Sequence, residues 1–210
     1  MVVTLLISLS SCNKAPIRAE GVSYAKTERS DIAQILLDPT DIDSPQINIP
    51  IIPNWVSKQR TETSSHYAII LQDDKYPAKR ASSFISIIVP KGKFTNTNEN
   101  LLSTAKSTYD SYASAYKILD GSSTFAENDI NFNHSVEFWY VNEDPTNPKL
   151  KDFNFTMVFS PVENSSDKCG PVIISYVTTG IEDMKLIKQV FEANTPLFRE
   201  TFSYTEFKNF

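Results

Sequence analysis

Twice along this chain the spacing of apolar residues switches from the period of a strand to that of a helix. Leu101, Ala105, Tyr109, Tyr112 and Tyr116 recur at helical spacing, with Ser, Thr, Lys and Asp between them. Met184, Ile187, Val190, Phe191 and Phe198 do the same near the C-terminus. A stripe of this kind buries one face of a helix. The first predicts a helix over 97–115, with Asn96 and Glu99 spaced to cap its start. The second predicts a helix over 181–194, opened by a capping box of Thr179 and Glu182. Pro196 is expected to end that helix or bend its last turn.

Elsewhere the apolar runs are short, and they alternate or are rich in β-branched residues. Residues 66–72 and 83–89, with a polar, proline-containing link between them, read as a hairpin of two central strands. Residues 47–52 also alternate, but Pro50 and Pro53 demote them to an edge strand. The Pro53-Asn54 pair then reads as a turn that presents Trp55. Residues 117–127 form a strand candidate broken by Gly121-Ser122. In 132–142, Val136, Phe138 and Tyr140 alternate with Glu137 and Trp139. In 152–161, Phe153, Phe155, Met157 and Phe159 share one face, and Asn154, Thr156 and Val158 the other, as in a half-buried strand. Residues 171–177 read as a buried strand. Ile32, Ile35 and Leu36 predict one or two helical turns before Asp38-Pro39. Helices that separate runs of adjacent strands predict an α+β fold: a single, mostly antiparallel sheet with one helix on each side.

The first twelve residues are an apolar run ending in Leu9-Ser10-Ser11-Cys12. An aliphatic residue, two small residues and a cysteine make a lipobox pattern. The small residues fit the extended chain into a signal peptidase cleft, and the Cys12 thiolate takes a diacylglycerol before cleavage. The run is far shorter than the roughly 20 apolar residues of a membrane-spanning helix, and no Lys or Arg precedes it. It reads as a signal segment, to be set apart from the fold. Residues 13–30 are polar and lack apolar periodicity, as in a flexible tether. Residues 31–210 then make one domain. The expected location is the extracytoplasmic face of a bacterial cell membrane, with the diacylglyceryl cysteine as the anchor.

The net charge is −5 and the basic residues are scattered, which argues against nucleic acid as a partner. If Cys12 is acylated, the second cysteine, Cys169, has no partner in the chain, and it reads as a small buried hydrophobe. The sequence holds no G-x-S-x-G, H-E-x-x-H, C-x-x-C or glycine-rich phosphate loop. His66 and His134 are isolated, and read as solvated or cross-strand residues rather than catalytic or metal-binding ones. Neither a metal nor a cofactor is expected. Asp73-Asp74 reads as a solvated turn. Two features suit ligand binding: the stripe of Tyr109, Tyr112 and Tyr116, and Trp55 beside its prolines. Core packing competes for the stripe, since that face must bury something. A tyrosine, however, keeps a polar tip suited to a groove wall. A lipid or acyl ligand is expected between the sheet and this helix.

The lipobox, the stretch Ile49-Pro50-Ile51-Ile52-Pro53-Asn54-Trp55, the strand at 84–89 ahead of a helix, and the closing helix after Thr179-Gly180 together resemble the LpqN/LpqT family of actinobacterial lipoproteins. The stretch at 49–55 is similar to that family's aliphatic-Pro-x-Gly-Trp, with Asn54 in the glycine position. The resemblance implies a PsbP-like α/β/α sandwich. It also implies an envelope protein that binds a partner or a glycolipid without a shared catalytic set, so no active-site residue is carried over. The chain thus reads as a non-enzymatic, lipid-anchored envelope protein that binds a lipid, a glycolipid or a partner protein. The alternative is an exported hydrolase with an unidentified carboxylate pair.

Overall fold

A computed structural model describes residues 22–26, 31–51, 55–73, 82–122, 124–130, 133–162 and 165–210. Cys12 and the Pro53-Asn54 turn lie outside the described residues. The chain begins with β1 (Val22–Lys26), β2 (Asp31–Leu36), β3 (Gln46–Ile51), β4 (Trp55–Glu62), β5 (His66–Asp73), β6 (Ser82–Pro90) and β7 (Phe94–Thr95). Helix α1 (Asn98–Ala115) follows, then β8 (Ile118–Gly121), β9 (Ala126–Ile130), β10 (Asn133–Glu143) and β11 (Lys151–Phe159). The last elements are β12 (Ser165–Ser166), β13 (Val172–Ile181), α2 (Met184–Ser203) and β14 (Glu206–Lys208).

The α+β class and the antiparallel pairing hold, but the single sheet flanked by two helices does not. Among the described residues, eight strands make a large sheet in the order β4-β5-β6-β13-β11-β10-β8, with β9 also paired to β10. A second sheet runs β1-β2-β3-β14, and β7 pairs with β12 apart from both. The large sheet separates two cores. On one face, Leu101 and Ala105 of α1 pack on Val136, Phe138, Tyr140, Val158 and Ile173. On the other face, the small sheet and α2 share a core through Ala33, Ile35, Ile47, Ile49, Ile187, Phe198 and Phe202. The second face is too wide for α2 alone, and the small sheet covers the rest of it.

Several local expectations change for physical reasons. Residues 31–36 form strand β2 and not helical turns, because Ala33 and Ile35, with Leu37 just beyond, are all buried and repeat every second residue. Strand β3 is an inner strand despite Pro50. The short β14 pairs only with Gln46, Ile47 and Asn48, so the edge beyond them is uncovered where the proline lacks its N–H. Val22–Lys26, within the expected tether, pairs with β2 as strand β1. Strand β11 is buried on both faces, so its polar residues bond across strands: Asn154 Nδ2 donates to Asn142 Oδ1 at 3.0 Å, and Thr156 and Ser175 share a hydroxyl bond of 2.9 Å.

The helices start at different caps from those expected. Thr97 caps α1, accepting a hydrogen bond from the Asn100 N–H at 3.1 Å, while Asn96 turns its amide to the Val162 carbonyl. Asp183 caps α2, accepting from the Lys185 N–H at 2.8 Å, because β13 runs on through Thr179 to Ile181. Pro196 does not end α2, which continues to Ser203. Ile187, Phe198 and Phe202 are its buried apolar residues among those described, each worth roughly 1.5–3 kcal/mol, and the Phe198 ring stacks on Tyr176 at 3.7 Å. Met184, expected in the same stripe, is instead exposed.

Candidate functional site

Helix α1 crosses the large sheet so that its N-terminal half seals a core and its C-terminal end overhangs a slot. Leu101 and Ala105 are fully buried. Tyr109 continues the seal: its ring meets Phe125, Phe138 and Tyr140 edge-on, at centroid distances of 5.8–6.0 Å. Gly121 of β8 makes room for this ring, since a Cβ there would stand 2.8 Å from the Tyr109 hydroxyl. Tyr112 then stacks on Tyr140 at 5.2 Å, and Tyr116, partly exposed, tilts against Tyr112 at 6.5 Å.

Helix α1 ends at Ala115, just before Tyr116, and a slot of about 240 Å³ lies beside its end. Its wall on the helix side is Tyr112 and Tyr116. The sheet contributes Phe84 and Ser86 from β6, Ser175, Val177 and Thr179 from β13, Asp152 and Asn154 from β11, and Tyr140 and Asn142 from β10. Pro145 closes the end. All these strand residues, Asp152 among them, follow the two-residue period that points Ile88, Val158 and Ile173 at α1.

A bulge gives the slot's carboxylate a backbone partner. Lys151 pairs with Ile181 and Phe153 with Thr178, so Thr179 and Gly180 of β13 stand opposite Asp152 alone. The extra residue needs a left-handed backbone, and Gly180 supplies it with φ 76°. The kink aims the Gly180 N–H at Asp152 Oδ1, 3.2 Å away. Burial raises the Asp152 carboxyl above the usual carboxylate range, against the Gly180 bond, and the charge of Asp144 adds to the rise. Burial likewise pushes the Tyr112 and Tyr140 hydroxyls up, with Ser175 opposing it at Tyr112 through a hydrogen bond. The slot is therefore half aromatic and half polar, with one ionisable carboxyl among its described lining residues.

The sequence candidates separate here. Tyr112 and Tyr116 line the slot, whereas Tyr109 is part of the packed core. Trp55 opens β4, paired with Asp73 on the edge strand at the far side of the large sheet, and its side chain lies outside the described part. Cys12 also lies outside it. His66 sits at the β4–β5 hairpin, where its Nδ1 is 3.0 Å from the Ser65 hydroxyl and 3.1 Å from that of Thr63. His134 is in β10, opposite Asp129 of β9. Cys169 is buried, and burial raises its thiol. Among the described residues, no group of three His, Cys, Asp or Glu is placed to hold a metal ion. None of the described helices is long and apolar enough to cross a membrane. Asp152, Asn142 and Asn154 were not singled out from the sequence.

No protein-family model and no curated protein matches this chain. A solved structure does. LpqN of Mycobacterium tuberculosis, described as involved in cell envelope biogenesis, superposes with a TM-score of 0.50 at 11% identity. The match covers 84% of this chain and 91% of LpqN. The chain thus has a distant LpqN-like fold, and at that identity the likeness is one of fold alone.

A wider concavity of about 600 Å³ lies along the outer face of α1. Its described lining comes from that helix alone and is mostly Ser with Glu99, Lys106 and Asp110, a solvated surface with no opposing wall among the described residues.

Proposed function

We propose that this chain is a non-enzymatic, lipid-anchored envelope protein that binds part of a lipid or glycolipid in the slot between α1 and the large sheet. The observation that carries the reading is the slot itself, with aromatic and hydrogen-bonding groups converging where the helix leaves the sheet. Ligand pockets usually span about 300–1,000 Å³, so a slot of about 240 Å³ suits a headgroup and not a whole acyl chain. The envelope role of LpqN supports the setting. The anchor is Cys12, on the lipobox pattern.

The hydrolase alternative draws on Asp152, the slot's carboxyl, which burial raises from its ordinary value. Glycoside hydrolysis needs a second carboxylate roughly 5–10 Å away, and no other carboxylate lines the slot among its described residues.

The test uses the full chain, purified from a bacterial host and exposed to a total envelope lipid extract. Mass spectrometry of the recovered protein should show bound lipid, lost in Tyr116→Ala at an unchanged melting temperature. Absence of lipid from the wild type, with capture of a protein instead, would move the reading to a protein partner. Turnover of chromogenic glycosides, abolished in Asp152→Asn, would establish the hydrolase. The anchor is tested separately by labelling with a fatty-acid analogue: Cys12→Ala should lose both the label and the membrane fraction.

A further inference from the structure

The charge balance inside the slot identifies the kind of group it takes. We infer that the slot receives a primary ammonium group, with the Asp152 carboxylate as its counter-ion. This rests on the reading of the slot as a ligand site. Asp152 is the one charged side chain in the described lining. Its described bonds come from the Gly180 N–H and the Asn142 side chain, neither of which carries charge. Two lysines on neighbouring strand ends are engaged elsewhere. Lys117 is 2.6 Å from Glu143, and Lys151 donates to the carbonyls of Lys149 and Glu182.

A carboxylate in a half-enclosed site is stabilised most by a cation that can also donate hydrogen bonds. The rest of the slot provides acceptors for such a donor. The hydroxyls of Tyr116 and Ser86 line it, and so does Asn154, whose Nδ2 is committed to Asn142, leaving Oδ1 as an acceptor. The electron-rich faces of the tyrosines favour a cation as well. A phosphate or carboxylate group would meet Asp152 with like charge and is disfavoured in the slot. An ethanolamine-type headgroup therefore enters amine first, with its anionic part left at the mouth. The same ammonium chemistry is offered by a small free amine.

Calorimetry on the full chain separates these sources. The titrants are a short-chain ethanolamine phospholipid below its micellar concentration, free ethanolamine, and octyl glucoside as an uncharged hydroxylated ligand. The phospholipid should bind, and Asp152→Asn, checked for folding by its melting curve, should weaken binding at least about tenfold. Equal binding of free ethanolamine assigns the site to small amines, and binding of the phospholipid alone assigns it to a lipid headgroup; both support the inference. Equal affinity in wild type and Asp152→Asn overturns it. Binding of octyl glucoside without either amine overturns it while leaving the slot as a ligand site. If no titrant binds and the lipid extract also yields nothing, both readings fall.

Discussion

Asp152 is held at a cost. A carboxyl whose acidity is weakened on folding contributes stability that is fully present below the ordinary carboxylate range. That contribution is lost as pH rises through its elevated folded value. Above that value the ionised Asp152 therefore destabilises the fold. Asp152→Asn keeps an oxygen for the Gly180 N–H, and should raise the melting temperature at pH 7 but not at pH 3. Thermal melts across that range check it, and an equal effect at both ends would contradict the burial argument. Gly180 supports the same carboxylate from the backbone. Gly180→Ala must put a Cβ on a left-handed residue, and should cost about 1–2 kcal/mol in chemical denaturation. The tyrosines should part company in the same assay. Tyr112→Ala removes a ring stacked on Tyr140 and should cost roughly 3 kcal/mol. Tyr116→Ala, at the exposed end of the stripe, should cost well under half of that. The stripe was legible in the sequence because helical spacing marks it. Asp152 was not, because one acid at a strand end looks like any solvated residue. Its alternation with Asn154 and Thr156 puts it on the slot's face, and the backbone donor it meets there comes from the bulge at Thr179-Gly180, a pairing between distant segments.

At the level of elements, long periodic segments were legible and edges were not. Helix α1 lies where its stripe placed it, and the hairpin of β5 and β6 pairs His66 with Pro90 through Gln72 with Phe84. Strand β4 went unseen because its run Ser57-Lys58-Gln59-Arg60-Thr61-Glu62 is polar, as suits an edge. Strand β2 was misread because Ile32, Ile35 and Leu36 fit a helical period as well as the strand that β1 and β3 impose. Pro196 was expected to end α2 or bend its last turn, and the helix runs on through it because Phe198 and Phe202 beyond it are anchored in the core. A proline inside a helix lacks one hydrogen bond and crowds the preceding turn, at a cost of about 3 kcal/mol. Pro196→Ala should therefore stabilise the chain, by about 1–2 kcal/mol once the greater freedom of the unfolded alanine chain is counted. Denaturant titration checks the sign, and a loss of stability would mean that the ring itself packs.

For the whole molecule, the joint between α2 and the large sheet matters most. Arg199 of α2 grips Glu137 of β10 with two bonds, Nε to Oε2 at 2.6 Å and Nη2 to Oε1 at 2.5 Å. The Glu137 side chain is nearly buried, and Arg199 is about one-third exposed. Arg199→Ala removes both of these bonds from a nearly buried carboxylate and should cost about 2–3 kcal/mol, less than for a fully enclosed pair because water reaches the arginine. Denaturant melts of Arg199→Ala and of Arg199→Ala with Glu137→Gln would show it, with the double variant recovering part of the loss. This division of the fold has a directional consequence. The small sheet, which holds β1, packs on the face of the large sheet opposite α1 and the slot. Nine residues, 13–21, separate Cys12 from Val22, and fully stretched the ten steps between them span at most about 35 Å. An anchor at Cys12 would then attach on the side of the molecule away from the slot, on a short leash. Cargo would be received from in front, from a facing layer or a donor, more readily than scooped from the membrane underfoot.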